Sequence, residues 1–321
     1  MFPPPGTSIS SLHSDIIRTH ILPSLDGLSL ASLSSTSSQF YSLSKEETLW
    51  TNICTTTWPS CSHPRIRQLI SHFPNGPRTF FSDSFPLLLT HPDTHPQNPC
   101  SPYPIELVSA VDIHYKTKLI FSKVHVTETL SRWFKCSWLR IDLVDPKMVF
   151  PTTIQIKGKN CQTLMEDLTL TWNIILGTRA ANLSSFHPVS VNQHWLTKDI
   201  QVNFATILSV AQEEDVKCEI TVTFEENMDV CEVSMQIYDM DGICLNGQKS
   251  LGILQNAIER GERKNLTREN CRERYANYVK RTMERLGSRE KSLRNEWRKD
   301  AIWMASFVIT IFLSYCILIF M

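Results

Sequence analysis

The side chains that could do chemistry are few, and their spacing is poor for it. His91-x-x-x-His95 with Cys100 offers zinc-ligand types, but in a proline-rich stretch with no fourth ligand at suitable spacing. Asp239-Met-Asp241-Gly242 opens like a calcium loop yet lacks the later oxygen ligands, so it reads as a hairpin turn. The ten cysteines are scattered, with no Cys-x-x-Cys pair and no signal peptide, and are expected to be reduced thiols in a cytosolic chain. Gly-rich phosphate loops, a Gly-x-Ser-x-Gly elbow and His-Glu-x-x-His are absent. Asn182-Leu-Ser and Asn265-Leu-Thr fit the glycosylation sequon and are read as chance. No catalytic residue, metal site or cofactor is assigned.

The informative spacing is apolar. Between Ser11 and Trp50, Ile17, Ile21 and Leu25 (with Leu22 alongside), Leu30 and Leu33, Phe40 and Leu43, and Leu49 and Trp50 form clusters at helical spacing, separated by polar turns. Three or four helices follow, each too short to be stable alone. A dozen apolar side chains, at roughly 1.5 to 3 kcal/mol each, barely offset the entropy of ordering forty residues. The expected chemistry is therefore recognition, by a docking module that another protein completes.

Leu12-x-x-Asp15-Ile16, Ile21-Leu22-x-x-Leu25-Asp26, Leu30, Leu33-Ser34, Ser37-x-x-Phe40, Leu43 and Leu49-Trp50 resemble the F-box in order and spacing. That motif docks on the Skp-type adaptor of cullin-based ubiquitin ligases. The resemblance implies that Leu12, Asp15, Ile17, Ile21, Leu22, Leu25, Leu30, Leu33, Phe40, Leu43 and Trp50 make the adaptor face and its supporting core. It also implies a Skp-family adaptor, and through it cullin, as partners, and a non-catalytic receptor subunit that recruits targets for ubiquitination. One departure stands out: the family's usual Leu-Pro is Leu12-His13 here, which removes a pre-set φ, with Ser11 or Ser14 left to cap the helix.

The elements that must position this module can be read in order. Residues 1–10 read as a disordered arm, 11–58 as the docking module and 59–85 as a helical extension, in which Pro64 opens a helix with Ile66, Leu69, Ile70 and Phe73 on one face. Residues 86–104 hold six prolines and are expected to be a linker. From 105 to 260 the period becomes two, with seven to nine strands, such as Val216, Cys218, Ile220, Val222 and Phe224, predicting an antiparallel sandwich that binds an unknown protein target. Its runs Ser184 to Leu208 and Tyr238 to Leu254 resemble a plant group of F-box proteins with the same β-rich region. Ser250 is the expected N-cap of a further helix that Gly261 stops.

Lys plus Arg and Asp plus Glu both total 32, so no global field favours nucleic acid. The balance hides an asymmetry, because residues 259–300 hold fourteen basic and eight acidic side chains. This charged juxtamembrane helix (261–300) precedes the uncharged run 301–321, from Ala301 through Trp303 and Phe312 to Met321. That run is expected to be a transmembrane tail anchor, making the chain single-pass with its bulk in the cytosol, lipid a partner and the endoplasmic reticulum the default membrane. The expected class is thus α+β: an F-box helical module, an antiparallel β-sandwich-like middle domain, and C-terminal helices ending in one transmembrane helix. The other reading left open is a membrane-tethered protein-interaction or lectin-like module without ligase activity.

Overall fold

The computed structural model describes residues 13–90, 104–152, 154, 161–210 and 214–320, with side chains except at 161–162 and 312–320. The expected arm, Leu12, and the His91, His95 and Cys100 set lie outside the described residues.

The N-terminal helices are short because caps and prolines punctuate them. α1 (Ser14–Ile16) runs into a π-helical turn (Ile17–Ile21) and then a 3-10 turn (Leu22–Ser24) that carries Pro23 near its start. α2 (Gly27–Ser34) starts where the Asp26 carboxylate accepts from the Ser29 N–H at 2.7 Å, and α3 (Ser38–Leu43) where the Ser37 hydroxyl accepts from the Phe40 N–H at 3.2 Å. α4 (Glu47–Thr57), a 3-10 turn (Pro59–Ser62), α5 (Pro64–Ile70) and α6 (Pro77–Ser84) follow, with proline at the start of each of the last three.

The strands, with short helices between them, are β1 (Leu87–Leu89), β2 (Glu106–Tyr115), β3 (Lys118–Glu128), α7 (Arg132–Cys136), β4 (Arg140–Asp142), α8 (Cys161–Asp167), β5 (Leu168–Leu176), β6 (Arg179–Asn182), β7 (Ser190–Gln193), β8 (Ile200–Val210), β9 (Glu214–Phe224), β10 (Val230–Tyr238), α9 (Gly247–Arg260) and β11 (Glu262–Lys264). Among the described residues they form two sheets, ordered β11-β1-β6-β5-β2-β3 and β4-β10-β9-β8-β7. Pairing is antiparallel except between β1 and β6, where Leu87 lies opposite Asn182 in a parallel pair. Alternate residues of the facing strands, among them Val111, Trp172, Phe204, Ile220 and Met235, fill the core between the sheets. Asn182, half of an apparent sequon, is fully buried, and its Oδ1 accepts from the Trp172 and Ser184 N–H groups.

Two boundaries differ from expectation. Within the proline-rich stretch Leu87–Leu89 is a strand between β6 and β11, because its three leucines are buried there. α9 is capped by Asn246, whose Oδ1 accepts from the Lys249 N–H at 2.9 Å, so Ser250 lies inside the helix and is buried. The Asp239 turn is a hairpin: Gly242 takes φ 74°, and Asp239 Oδ1 accepts from the Asp241 and Ile243 N–H groups at 2.9 Å each.

α10 (Arg268–Phe320) docks through residues of its N-terminal half. Tyr278 packs with Ile207 and Met240, and its hydroxyl donates to the Asp239 carbonyl at 2.9 Å. The expected transmembrane helix, and with it a single-pass membrane protein with lipid as a partner, is overturned: among the described residues no helix is long and apolar enough to cross a membrane. Ala301 and Trp303 are exposed residues of α10, while the side chain of Phe312, and Met321 entirely, lie outside the described residues. The run from Ala301 on is the C-terminal part of α10. What precedes it in α10 is heavily charged. The α+β class holds without that segment.

Candidate functional site

The helical module divides its apolar residues between two tasks. Ile17, Leu22, Leu30, Phe40 and Trp50 are buried, and Ile21, Leu25, Leu33 and Leu43 pack part-buried around them. The same core takes in Trp58, Ile66, Phe80 and Phe81 and reaches Val108, Ala110, Ile175 and Ala180 on the outer face of the first sheet. The helices therefore complete their core on the chain's own sheet rather than waiting for another protein. Alanines at 110 and 180 leave room for this approach.

Buried polar groups fix the join. Asp112 of β2 points out of the sandwich into the helices, where Oδ1 accepts from the Ser60 N–H at 2.9 Å and the Ser122 hydroxyl at 2.7 Å. Its Oδ2 accepts from the Ser60 hydroxyl at 2.6 Å. Burial pushes this carboxyl above its ordinary value, and the Ser60 and Ser122 hydrogen bonds partly offset the shift. Asp83 of α6 makes a second latch, with Arg179 Nε at 3.1 Å and Arg263 Nε at 3.4 Å. Arg65 pairs with Glu106 at a third place.

What remains on the surface is the candidate docking face. Ile16 of α1 is 46% exposed, Leu28 of α2 43% and Tyr41 of α3 44%. Tyr41 is held between cations, with the Lys45 ammonium 4.2 Å and the Arg78 guanidinium 5.3 Å from its ring centroid. Arg18 Nε lies 3.1 Å from Glu46 Oε2, tying the first helical stretch to the start of α4. The Trp50 indole donates to the Ser44 carbonyl at 2.7 Å, so this residue serves the interior. Gly27 lets α2 rest on α6, because a Cβ there would lie 2.1 Å from Phe81 Cζ.

Of the residues expected to make the adaptor face and its core, Leu12 lies outside the described residues and Asp15 is exposed beside His13. His13 itself is the cap of α1, its Nδ1 accepting from the Asp15 N–H at 3.3 Å, in place of Ser11 or Ser14. Exposed Ile16, quoted in the pattern, and Leu28 and Tyr41 are not among the residues expected at the adaptor face. Adjacent Ile16 and Ile17 carried the signal, since consecutive helical residues point in different directions and a short helix with one packed face favours burying one of the two. Burial pushes the Cys54 and Cys218 thiols up to about 12, which keeps these two protonated. Among the described residues no group of three His, Cys, Asp or Glu side chains is placed to hold a metal ion.

Three known proteins are similar to this chain in sequence. The chain is 45% identical to "Probable F-box protein At2g36090" of Arabidopsis thaliana over 267 residues, 81% of this chain and 78% of that protein. It is 43% identical to "F-box protein At3g44326" over 85% of this chain and 80% of the relative. A third, "F-box protein At2g27310", is 38% identical over 93% of both; these two also come from Arabidopsis thaliana. No family model matches the chain. No solved structure matches it either.

Proposed function

This chain belongs to the plant F-box family, and from that premise we propose that it is the substrate-receptor subunit of a cullin-based ubiquitin ligase. In this reading the N-terminal helices bind a Skp-family adaptor and through it cullin, and the sandwich holds a protein target. The subunit contributes proximity: it raises the effective concentration of the target near a ubiquitin-charged enzyme and makes no bond itself.

The observation that carries the docking half is the set of three large apolar side chains, Ile16, Leu28 and Tyr41, left exposed beside a saturated core. Exposed aromatic and aliphatic anchors ringed by polar residues are what protein interfaces use. Leu22 is fully buried, so a charge placed there would report on folding rather than on docking.

The test is co-purification of the full-length chain with a Skp-family adaptor. An Ile16→Asp/Leu28→Asp variant, with an unchanged melting temperature, is expected to lose the adaptor at least tenfold. Adaptor binding equal to that of the native chain would overturn the assignment.

A further inference from the structure

A cavity of about 710 Å³ opens between the end of the β8–β9 hairpin, the Asp239 turn and α9. That volume is in the range of ligand-binding clefts, roughly 300 to 1,000 Å³. Its floor is apolar, with Leu208, Val216, Met240 and Ala257 all buried. Among the described residues, polar atoms in its wall are left without hydrogen-bond partners: Thr90 Oγ1, on a residue only 8% exposed, and Asn256 Oδ1. Buried acceptors without partners are unfavourable, and a ligand that supplies donors relieves them.

The charges around the opening point to the sign of that ligand. Glu214, Asp215, Asp239 and Asp241 line it, and residues 161–250 as a whole hold thirteen acidic against four basic side chains. α10 answers three of these carboxylates. Arg281 pairs with Asp215, Arg289 Nη1 lies 3.2 Å from Asp241 Oδ2, and Arg285 lies 3.1 Å from Asp241 Oδ1 and 3.6 Å from Glu214 Oε1. Arg285 approaches Asp241 Oδ1 off the hydrogen-bond axis, so that oxygen too keeps an unfilled site. Asp239 has no ion pair among the described residues, while Lys249, the other lining cation, is exposed. The wall already accepts guanidinium groups from its own chain and keeps acceptors to spare.

We propose that this cavity is the recognition site for an arginine side chain of a polypeptide target. The aliphatic stem lies along the apolar floor, and the guanidinium, with five N–H donors and no acceptor, serves Thr90 Oγ1, Asn256 Oδ1 and Asp241 Oδ1 near the Asp239 charge. A neutral side chain of the same shape loses the charge, and an acidic one meets the Asp239 carboxylate, which has no ion pair among the described residues. The proposal rests on the receptor reading for its biological sense and deepens it by naming what the sandwich selects.

The experiment titrates the full-length chain with acetyl-Leu-Arg-Leu-amide and with its citrulline, lysine and glutamate counterparts, by calorimetry. The arginine peptide is expected to bind at least tenfold tighter than the citrulline peptide, lysine to fall between them and glutamate to give no heat. Thr90→Val, which removes only an unpartnered hydroxyl and should fold, and Asn256→Ala are each expected to weaken arginine binding at least threefold. Asp239→Asn, which keeps the turn's acceptor, should shrink the gap between arginine and citrulline. Equal binding of arginine and citrulline, no binding of either, or native affinity in the Thr90 and Asn256 variants would overturn the proposal. Adaptor binding, measured on the same samples, is a separate readout: its loss alone defeats the receptor reading and leaves the cavity assignment standing, and the reverse holds.

Discussion

The helical module and the sandwich solve the problem of a core in opposite ways. The sandwich closes two apolar sheet faces on each other over a large cluster of buried aliphatic and aromatic side chains. The helices, each under twelve residues, take their core partly from the back of the first sheet and are pinned there by buried carboxylates, Asp112 and Asp83. Apolar burial is tolerant of small shifts, whereas a buried carboxylate with its donors allows one geometry. The contrast gives a module that is held at a set angle to the sandwich, as the proposed receptor role requires.

The largest effect should come from the sandwich, because the helices depend on it. Trp172→Ala removes a fully buried indole that donates to Ser109 at 3.1 Å, and should cost about 3 to 5 kcal/mol. Chemical denaturation should then show both regions lost together; a sandwich melting apart from intact helices would break the stated dependence. Asp112→Ala comes next, at about 2 to 3 kcal/mol, since it strands the Ser60 N–H in the interior. Hydrogen exchange should rise across the helices while β8 to β10 stay protected.

The same residue makes the comparison sensitive to pH. The folded-state carboxyl of Asp112 titrates above its unfolded value, so it favours the folded state fully below the unfolded value, near 3.9, and this contribution is lost as pH rises through the raised value. Relative to Asp112→Asn, the native chain should therefore gain stability as pH falls across that window. Asp26 works the other way. The Ser29 backbone N–H, helped by the Ser29 hydroxyl, holds it below the ordinary carboxylate range, so its contribution is present above the unfolded value and lost as pH falls through the depressed one.

Two smaller effects should stay within the helices. Gly27→Ala drives a methyl against the Phe81 ring and should cost about 1 to 3 kcal/mol, with adaptor binding weakened because α2 is pushed off α6. Ser37→Ala removes the α3 cap, at about 1 kcal/mol, read as a lower melting temperature with the sandwich's near-ultraviolet signal unchanged.

Much of this arrangement is legible in the residues. Asp26 and Ser37 announce the starts of α2 and α3, and Pro64 that of α5, because caps and proline act on their own few neighbours. The alternation from Val216 to Phe224 announces β9 because only one of its faces meets the core. β2 is harder to read: Val108, Ala110 and Asp112 occupy what looks like a solvent face, and only the docked helices bury it. Leu87–Leu89 pairs with segments far along the chain, so its strand leaves no local periodicity to find.

The sequence by itself determined the local elements, the apolar inventory of the docking helices and the F-box pattern, since each rests on interactions between residues a few positions apart. The tertiary structure alone decided which of those apolar residues are interior, sending Leu22 and Trp50 inward and leaving Ile16, Leu28 and Tyr41 exposed. It alone brought Thr90, Asp239 and Asn256 to one cavity. Burial is a property of what lies on the other side of a face, and no spacing along one strand or helix encodes that neighbour.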